Sequence, residues 1–302
     1  MINLDILLLG YYALFASALS INKLILQHYL SLWFFVALRR LTAGFLLFGY
    51  HFFTSPRMHP NYMKHDLLKI LGISVMTMFV PSLLKAYSFK YLISSKAALL
   101  GSLDPFITAF YTYILWGERL SLTKFFGMSI SFLGIFVLLI STSPTENLMG
   151  GFGIFSWPEL AMIASLIISR YGWILARDIL KTERYSSSEL NSLIMISSGL
   201  YALIGAAMLG ACDFCTIPIT THFMGLFIYS VVFGEMIGYT IYGNLLKKHN
   251  IVYLSLAGLS IPLFVYLYGP FLLGEPLSPI FFGAFILFAA GMYIFYWDDV
   301  KK

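Results

Sequence analysis

Apolar residues run along this chain in about ten stretches of 20 or so residues, near 5–26, 31–53, 67–88, 92–115, 121–141, 154–177, 188–210, 222–244, 251–273 and 277–297, with short polar connections between them. Each stretch is long enough to cross roughly 30 Å of hydrocarbon as a helix. The pattern therefore predicts an all-α membrane protein with ten transmembrane helices and no soluble domain. The start, Met1 to Asp5, lacks a basic lead-in and runs into a stretch too long for a signal peptide, so the first segment is expected to be a retained span.

The distribution of Lys and Arg orients these spans. Loops after even-numbered spans and the C-terminus hold Arg57, Lys64, Lys69, Arg119, Lys124, Arg177, Lys181, Arg184, Lys247, Lys248, Lys301 and Lys302, whereas the loops after spans five, seven and nine hold none. That bias puts both termini in the cytoplasm. The loop after span three is an exception, with Lys85, Lys90 and Lys96 nearby. Composition agrees with the membrane assignment: 59% of residues are hydrophobic and 11% charged, far from the balance of a soluble domain. The formal charge of +5 is spread over separate loops without a clustered patch, so it reflects insertion and implies no nucleic-acid partner.

A shift of 157 residues lays the chain on itself without a gap. Gly101, Pro105, Tyr111, Gly117, Glu118, Leu120, Ser121 and Gly134 fall on Gly258, Pro262, Tyr268, Gly274, Glu275, Leu277, Ser278 and Gly291. G-x-x-x-P followed by GE-x-LS in both halves marks a duplicated unit, and two copies of a helical unit in a membrane protein point to a transporter with its site between them. Five spans per unit, an odd number, turn the second copy upside down relative to the first.

Several residues are candidates for chemistry. Pro105 has no amide hydrogen to give the carbonyl of Gly101, and Pro262 none for that of Gly258, so both helices are expected to bend there and both prolines are candidate hinges. A freed carbonyl in lipid must face protein, water or substrate, which makes Gly101 and Gly258 candidate binding positions; packing kinks are the alternative. Glu118 and Glu275 are expected at span ends, as helix caps and turn residues at the membrane surface. Asp104 and Glu235 lie near the middle of spans four and eight, where a carboxylate should face a cavity or a partner. Asp104 has Ile261 as its counterpart, so the packing of the repeat does not require it. Arg39 and Arg40 point about 100° apart on span two, and Arg40 is the one expected to face inward. Arg170 lies well inside span six. Glu235, Tyr239 and Tyr242 share one helical face, suited to an organic cation or a ring. A buried ion-pair network is the structural alternative for the charged groups. Charges of both signs suit a zwitterionic or amino-acid-like solute. Cys212 and Cys215, spaced C-x-x-C in the loop after span seven, lack the second ligand pair of a zinc site and are expected to be loop residues or an incidental disulfide.

The ten spans, the duplicated Pro and GE-x-LS, and the cytoplasmic termini resemble the drug/metabolite transporter superfamily, in particular its EamA-type members. The resemblance covers nearly the whole chain and is sharpest at Pro105 to Gly134 and Pro262 to Gly291. It implies two inverted five-helix repeats, residues 1–145 and 146–302, a central cavity lined by most of the first four spans of each half, and the fifth and tenth spans at the periphery. It implies a secondary transporter working by alternating access, in the cytoplasmic (inner) membrane of a bacterium. A drug exporter of the same fold and an intramembrane enzyme are the alternatives. The enzyme reading finds no H-E-x-x-H and no G-x-S-x-G, and the histidines, His28, His51, His59, His65, His222 and His249, lie mostly near span ends. No cofactor or metal is expected. The expected partners are a small organic solute and the lipid bilayer, with a homodimer left open.

Overall fold

The computed structural model describes residues 2–54, 60–117, 121–140, 146, 148–181, 184–212, 220–237, 258, 260–276 and 278–297. Helices occupy the described part of every apolar stretch. They are α1 (Ile2–His28), α2 (Leu32–Thr54), α3 (Pro60–Ser74), α4 (Val80–Tyr91), α5 (Ser94–Gly101), α6 (Asp104–Trp116), α7 (Leu122–Ile140), α8 (Trp157–Leu180), α9 (Ser187–Met208), α10 (Thr221–Val231), α11 (Ser260–Tyr268) and α12 (Pro279–Phe295). Three π-helical turns, Val75–Phe79, Val232–Ile237 and Gly269–Leu273, continue α3, α10 and α11. A two-stranded antiparallel hairpin, β1 (Gly151–Phe152) and β2 (Phe155–Ser156), precedes α8.

Among the described residues, five helical runs are long and apolar enough to cross a membrane: Leu32–Phe53, Asp66–Tyr91, Ser94–Leu115, Trp157–Leu180 and Ser187–Met208. Leu122–Val137, Ser260–Leu273 and Pro279–Phe295 are shorter apolar helices. The protein is thus an all-α membrane protein. Helix ends follow local chemistry. Ser186 and Glu189 form a reciprocal capping box at the start of α9, and the Thr220 side chain accepts from the Phe223 amide at 3.2 Å at the start of α10. The duplicated motif has a duplicated geometry. Gly117 ends α6 at φ 67°, ψ 17°, and Gly274 ends the π turn after α11 at φ 65°, ψ 21°, a left-handed cap that glycine adopts without a steric penalty.

The chain divides into two compact units, each drawing pieces from both sequence halves. Unit 1 holds residues 1–24, 88–163 and 237–302; unit 2 holds 25–87 and 164–236. In unit 2, α2 packs along α9 through small residues. A Cβ on Gly44 would sit 2.9 Å from the Ile196 nitrogen, and one on Gly199 would sit 2.9 Å from the Leu41 nitrogen. Lipid supplies no hydrophobic drive between helices, so such close backbone approach, with its dispersion contacts, holds them together. The buried side chains around this contact include Ala43, Ile70, Met78, Ala176, Leu190, Ile194 and Val231.

In unit 1, α7 and α12 run antiparallel in close contact. A Cβ on Gly134 would lie 2.6 Å from the Ala284 carbonyl oxygen, and one on Gly291 would lie 2.5 Å from that of Gly127. The Ser131 hydroxyl donates to the Phe288 carbonyl at 3.1 Å. Under the 157-residue shift, Gly134 against Ala284 becomes Gly291 against Gly127, and Ser131 against Phe288 maps onto itself. Equivalent helices of the two sequence halves therefore meet in a self-complementary antiparallel register.

Candidate functional site

Among the buried polar groups of the described residues, three bring lysine or arginine together with glutamate. The first belongs to unit 2. The π turn Val232–Ile237 carries Glu235, only 3% exposed, and one extra residue per turn is a common feature of functional helix segments. Its Oε2 accepts from Arg40 Nη1 at 2.7 Å and its Oε1 lies 2.9 Å from Arg39 Nη2. Arg40 also donates from Nη2 and Nε to the Ser82 hydroxyl, at 2.8 and 3.2 Å. Adjacent arginines reach one carboxylate because their side chains are long and the two oxygens diverge, so both Arg39 and Arg40 engage Glu235. Lys85, one turn after Ser82 on α4, lies within electrostatic range of Arg39, Arg40, Arg170 and Glu235. Lys85 makes no hydrogen bond or ion pair among the described residues.

The second group belongs to unit 1. Glu275 is not a surface residue; its side chain is 12% exposed. Its carboxylate lies 2.5 Å from Lys23 Nζ and accepts from the Ser94 amide at 3.0 and 3.1 Å and from the Ser94 hydroxyl at 3.1 Å. Lys23 also donates to the Leu92 carbonyl. The glutamate of the second GE-x-LS thus caps the N-terminus of α5, where the helix dipole favours an anion, and ties it to α1. Glu118, its counterpart, lies outside the described residues.

The third group, also in unit 1, joins Lys96, Glu146 and Glu159. Lys96 Nζ lies 2.8 and 3.1 Å from the Glu146 oxygens and 2.5 Å from Glu159 Oε1, with all three side chains at most 3% exposed. Sequence reasoning noted Lys85 and Lys96 only as exceptions to the orienting charge bias. That exception was the available signal, since a lysine off the expected side is accounted for if it is buried and paired rather than solvated.

The remaining candidates fall as follows. Asp104 opens α6 in unit 1, half-buried, with its backbone carbonyl accepting from the Thr108 hydroxyl at 2.9 Å. The helix is interrupted at Ser102 and Leu103, just before Pro105, which occupies the first turn of α6 where a missing amide hydrogen is tolerated. Gly101 ends α5, and no atom lies within 4 Å of where its Cβ would be. Pro262 is buried on α11, and a Cβ on Gly258 would lie 3.8 Å from the Tyr12 ring. Tyr239, Tyr242 and Cys215 lie outside the described residues; Cys212 is half-buried. Asp104 belongs to unit 1 and Glu235 to unit 2.

Comparison with known proteins bears on what these groups serve. Residues 3–140 match the EamA-like transporter family. A protein of Chlamydia muridarum described as an S-adenosylmethionine/S-adenosylhomocysteine transporter is 28% identical over 85% of this chain and 78% of its own length. Its namesakes from Chlamydia trachomatis serovars L2 and D are each 27% identical over 85% of this chain and 76% of their own. A solved crystal structure matches 97% of this chain and 96% of its own at a TM-score of 0.63 and 15% identity, which shows a shared fold. With apolar helices of membrane-crossing length, a first half similar to the EamA-like transporter family and a likeness to named transporters over 85% of its length, the chain resembles transporters and not enzymes.

Proposed function

We propose that this transporter moves S-adenosylmethionine, S-adenosylhomocysteine or a closely related amino-acid-like metabolite across a bacterial cytoplasmic membrane by alternating access, as two inverted five-helix repeats with both termini cytoplasmic. The substrate class comes from the relatives' names. The observation that carries it onto this chain is Lys85, a cation inside the membrane-crossing helices with no ion-pair partner among the described residues, beside the Arg39–Glu235–Arg40 group. Both named solutes end in a zwitterionic amino acid. A half-buried cation beside other cations is costly in a low-dielectric setting, and an incoming carboxylate relieves that cost.

Arg40 then positions rather than binds, since Glu235 and Ser82 already hold its guanidinium. The antiparallel, self-complementary packing of α7 and α12 supports the inverted repeat. Tyr239 and Tyr242 are the aromatic groups proposed for the sulfonium or the adenine ring. Asp104, Gly101 and Gly258, with the hinges Pro105 and Pro262, are proposed to act from unit 1.

Purified protein in proteoliposomes should take up labelled S-adenosylmethionine, with unlabelled S-adenosylhomocysteine competing. Losing one charge-assisted hydrogen bond, about 1.5–3 kcal/mol, should raise the apparent KM of Lys85→Met roughly tenfold or more. Lys85→Arg should recover most of the loss. Uptake absent in the wild type, or a Lys85→Met variant with an unchanged KM, overturns the reading.

A further inference from the structure

The connection between α7 and α8 exposes apolar side chains where a loop standing in water would carry polar ones. Leu148, Phe152, Ile154 and Trp157 are 80%, 74%, 58% and 51% exposed, and residues 147–158 hold no charged side chain. The opposite end of α8 runs instead into Arg177, Asp178, Lys181, Glu183 and Arg184. We propose that the β1–β2 hairpin is an interfacial anchor, seated among neutral phospholipid headgroups at the membrane face where α7 ends and α8 begins. The inference rests on the helices crossing a bilayer and not on which solute the chain carries.

The length of α8 sets the depth of the hairpin. Its 24 residues, Trp157–Leu180, rise about 36 Å. The hydrocarbon core is roughly 30 Å thick, and about 40–45 Å with the headgroup layers, which leaves about 5–7 Å of headgroup on each side. A helix centred on that core starts just beyond the acyl chains, and its first residue here is a tryptophan, a side chain enriched at that boundary. Two residue pairs of β-strand measure about 7 Å, the thickness of the headgroup layer, so the hairpin is too short to stand clear of it.

The backbone suits a place where water is scarce. Unsatisfied amides and carbonyls are costly there, and the segment pairs several of its own. Gly151 faces Ser156 and Phe152 faces Phe155 in antiparallel register, the Trp157 amide donates to the Gly150 carbonyl at 3.0 Å, and the Met149 amide donates to the Glu146 carbonyl at 3.0 Å. Glycines let the hairpin close this tightly. Gly150 and Gly153 turn the chain at φ 68° and 63°, and a Cβ on Gly151 would run into the Phe155 carbonyl oxygen.

The hairpin is polar on the edge that meets protein and apolar elsewhere. The Ser156 hydroxyl donates to Glu146 Oε1 and its amide to Glu159 Oε2, each at 2.7 Å, which fastens β2 to the first turn of α8. The exposed side chains continue a surface that already faces lipid, since Leu133, Phe136 and Val137 are exposed along the last two turns of α7. Without a cation to draw anionic headgroups, the segment fits the zwitterionic, net-neutral ones, where aromatic rings settle beside the ends of the acyl chains.

Nitroxide labels on the full-length protein in phosphatidylcholine nanodiscs test the anchor. Phe152→Cys and Asp178→Cys are made separately in a Cys212→Ser, Cys215→Ser background. Both positions are exposed, but the label at 152 should collide with oxygen, which concentrates in lipid, several-fold more often relative to a water-soluble nickel chelate than the label at 178 does. Equal ratios would put the hairpin in water and overturn the proposal; so would a label at 152 shielded from both reagents, as a protein partner or a second copy would make it. Mixing in an anionic phospholipid should leave the depth at 152 unchanged, and a depth reached only with that lipid overturns the neutral-headgroup assignment. A second reading needs no label. The emission that Trp157→Phe removes should fall several-fold when the phosphatidylcholine is brominated on its chains near the headgroup; if that emission is unquenched, the anchor is overturned even where a labelled variant fails to fold.

Discussion

Replacing Glu235 by Gln should be the most damaging single change in the group around it, and the size of the effect follows from the geometry. Glu235 lies between two guanidinium groups, at 2.7 Å from Arg40 and 2.9 Å from Arg39. Removing its charge takes this carboxylate from both arginines, and breaking a buried ion pair by deleting one partner costs about 3–5 kcal/mol. Removing Arg40 disturbs less, because Arg39 still holds Oε1; loss of its charged hydrogen bonds costs about 1.5–3 kcal/mol. For a chain somewhat above 150–250 residues, where each kcal/mol moves the midpoint by roughly 2–4 °C, Glu235→Gln should melt about 10 °C below the wild type in detergent. Arg40→Met should fall between them. A triple variant, with Met at positions 39, 40 and 235, removes all three charges together. It should recover most of the lost stability, since well-packed apolar groups often replace a buried ionic cluster without penalty, yet it should not transport. A Glu235→Gln variant that melts with the wild type, or a triple variant no more stable than Glu235→Gln, would refute this account of the cluster.

Two further expectations separate packing from function. Gly134→Ala should destabilise by about 1–3 kcal/mol, because its Cβ would meet the Ala284 carbonyl oxygen at 2.6 Å, whereas Gly101→Ala, with open space beside it, should leave the melting midpoint unchanged or slightly raised. Thermal melts of the two variants measure this, and equal destabilisation would sink the distinction. Pro105→Ala and Pro262→Ala should both fold and should shift the balance of inward-open and outward-open states in opposite directions, read from the labelling of single cysteines on the two sides. A shift of both in one direction would reduce the prolines to packing features.

Elements and caps were legible in the sequence because they depend on local chemistry. The ten apolar stretches predicted helices, and helices occupy their described parts. The GE-x-LS repeat predicted two matching corners, and Gly117 and Gly274 adopt the same left-handed cap within a few degrees. Pro105 marked the interruption at Ser102 and Leu103. Each of these is settled by what a residue can do with its own backbone or with the turn beside it.

Partners across the fold were not legible. Glu275 looked like a surface cap, but it neutralises Lys23, 252 positions away in sequence, and caps a helix 181 positions away. Lys96 looked like a misplaced loop charge, but it lies between Glu146 and Glu159, which no periodicity connects to it. Arg39 and Arg40 were expected to diverge, and Glu235 receives both. Helical spacing states which way a side chain points from its own axis and nothing about what another helix brings to meet it. In a low-dielectric interior a charge depends on that meeting, so residue order alone places the ionisable groups along the spans, while the partner each one finds across the fold emerges only when the helices pack.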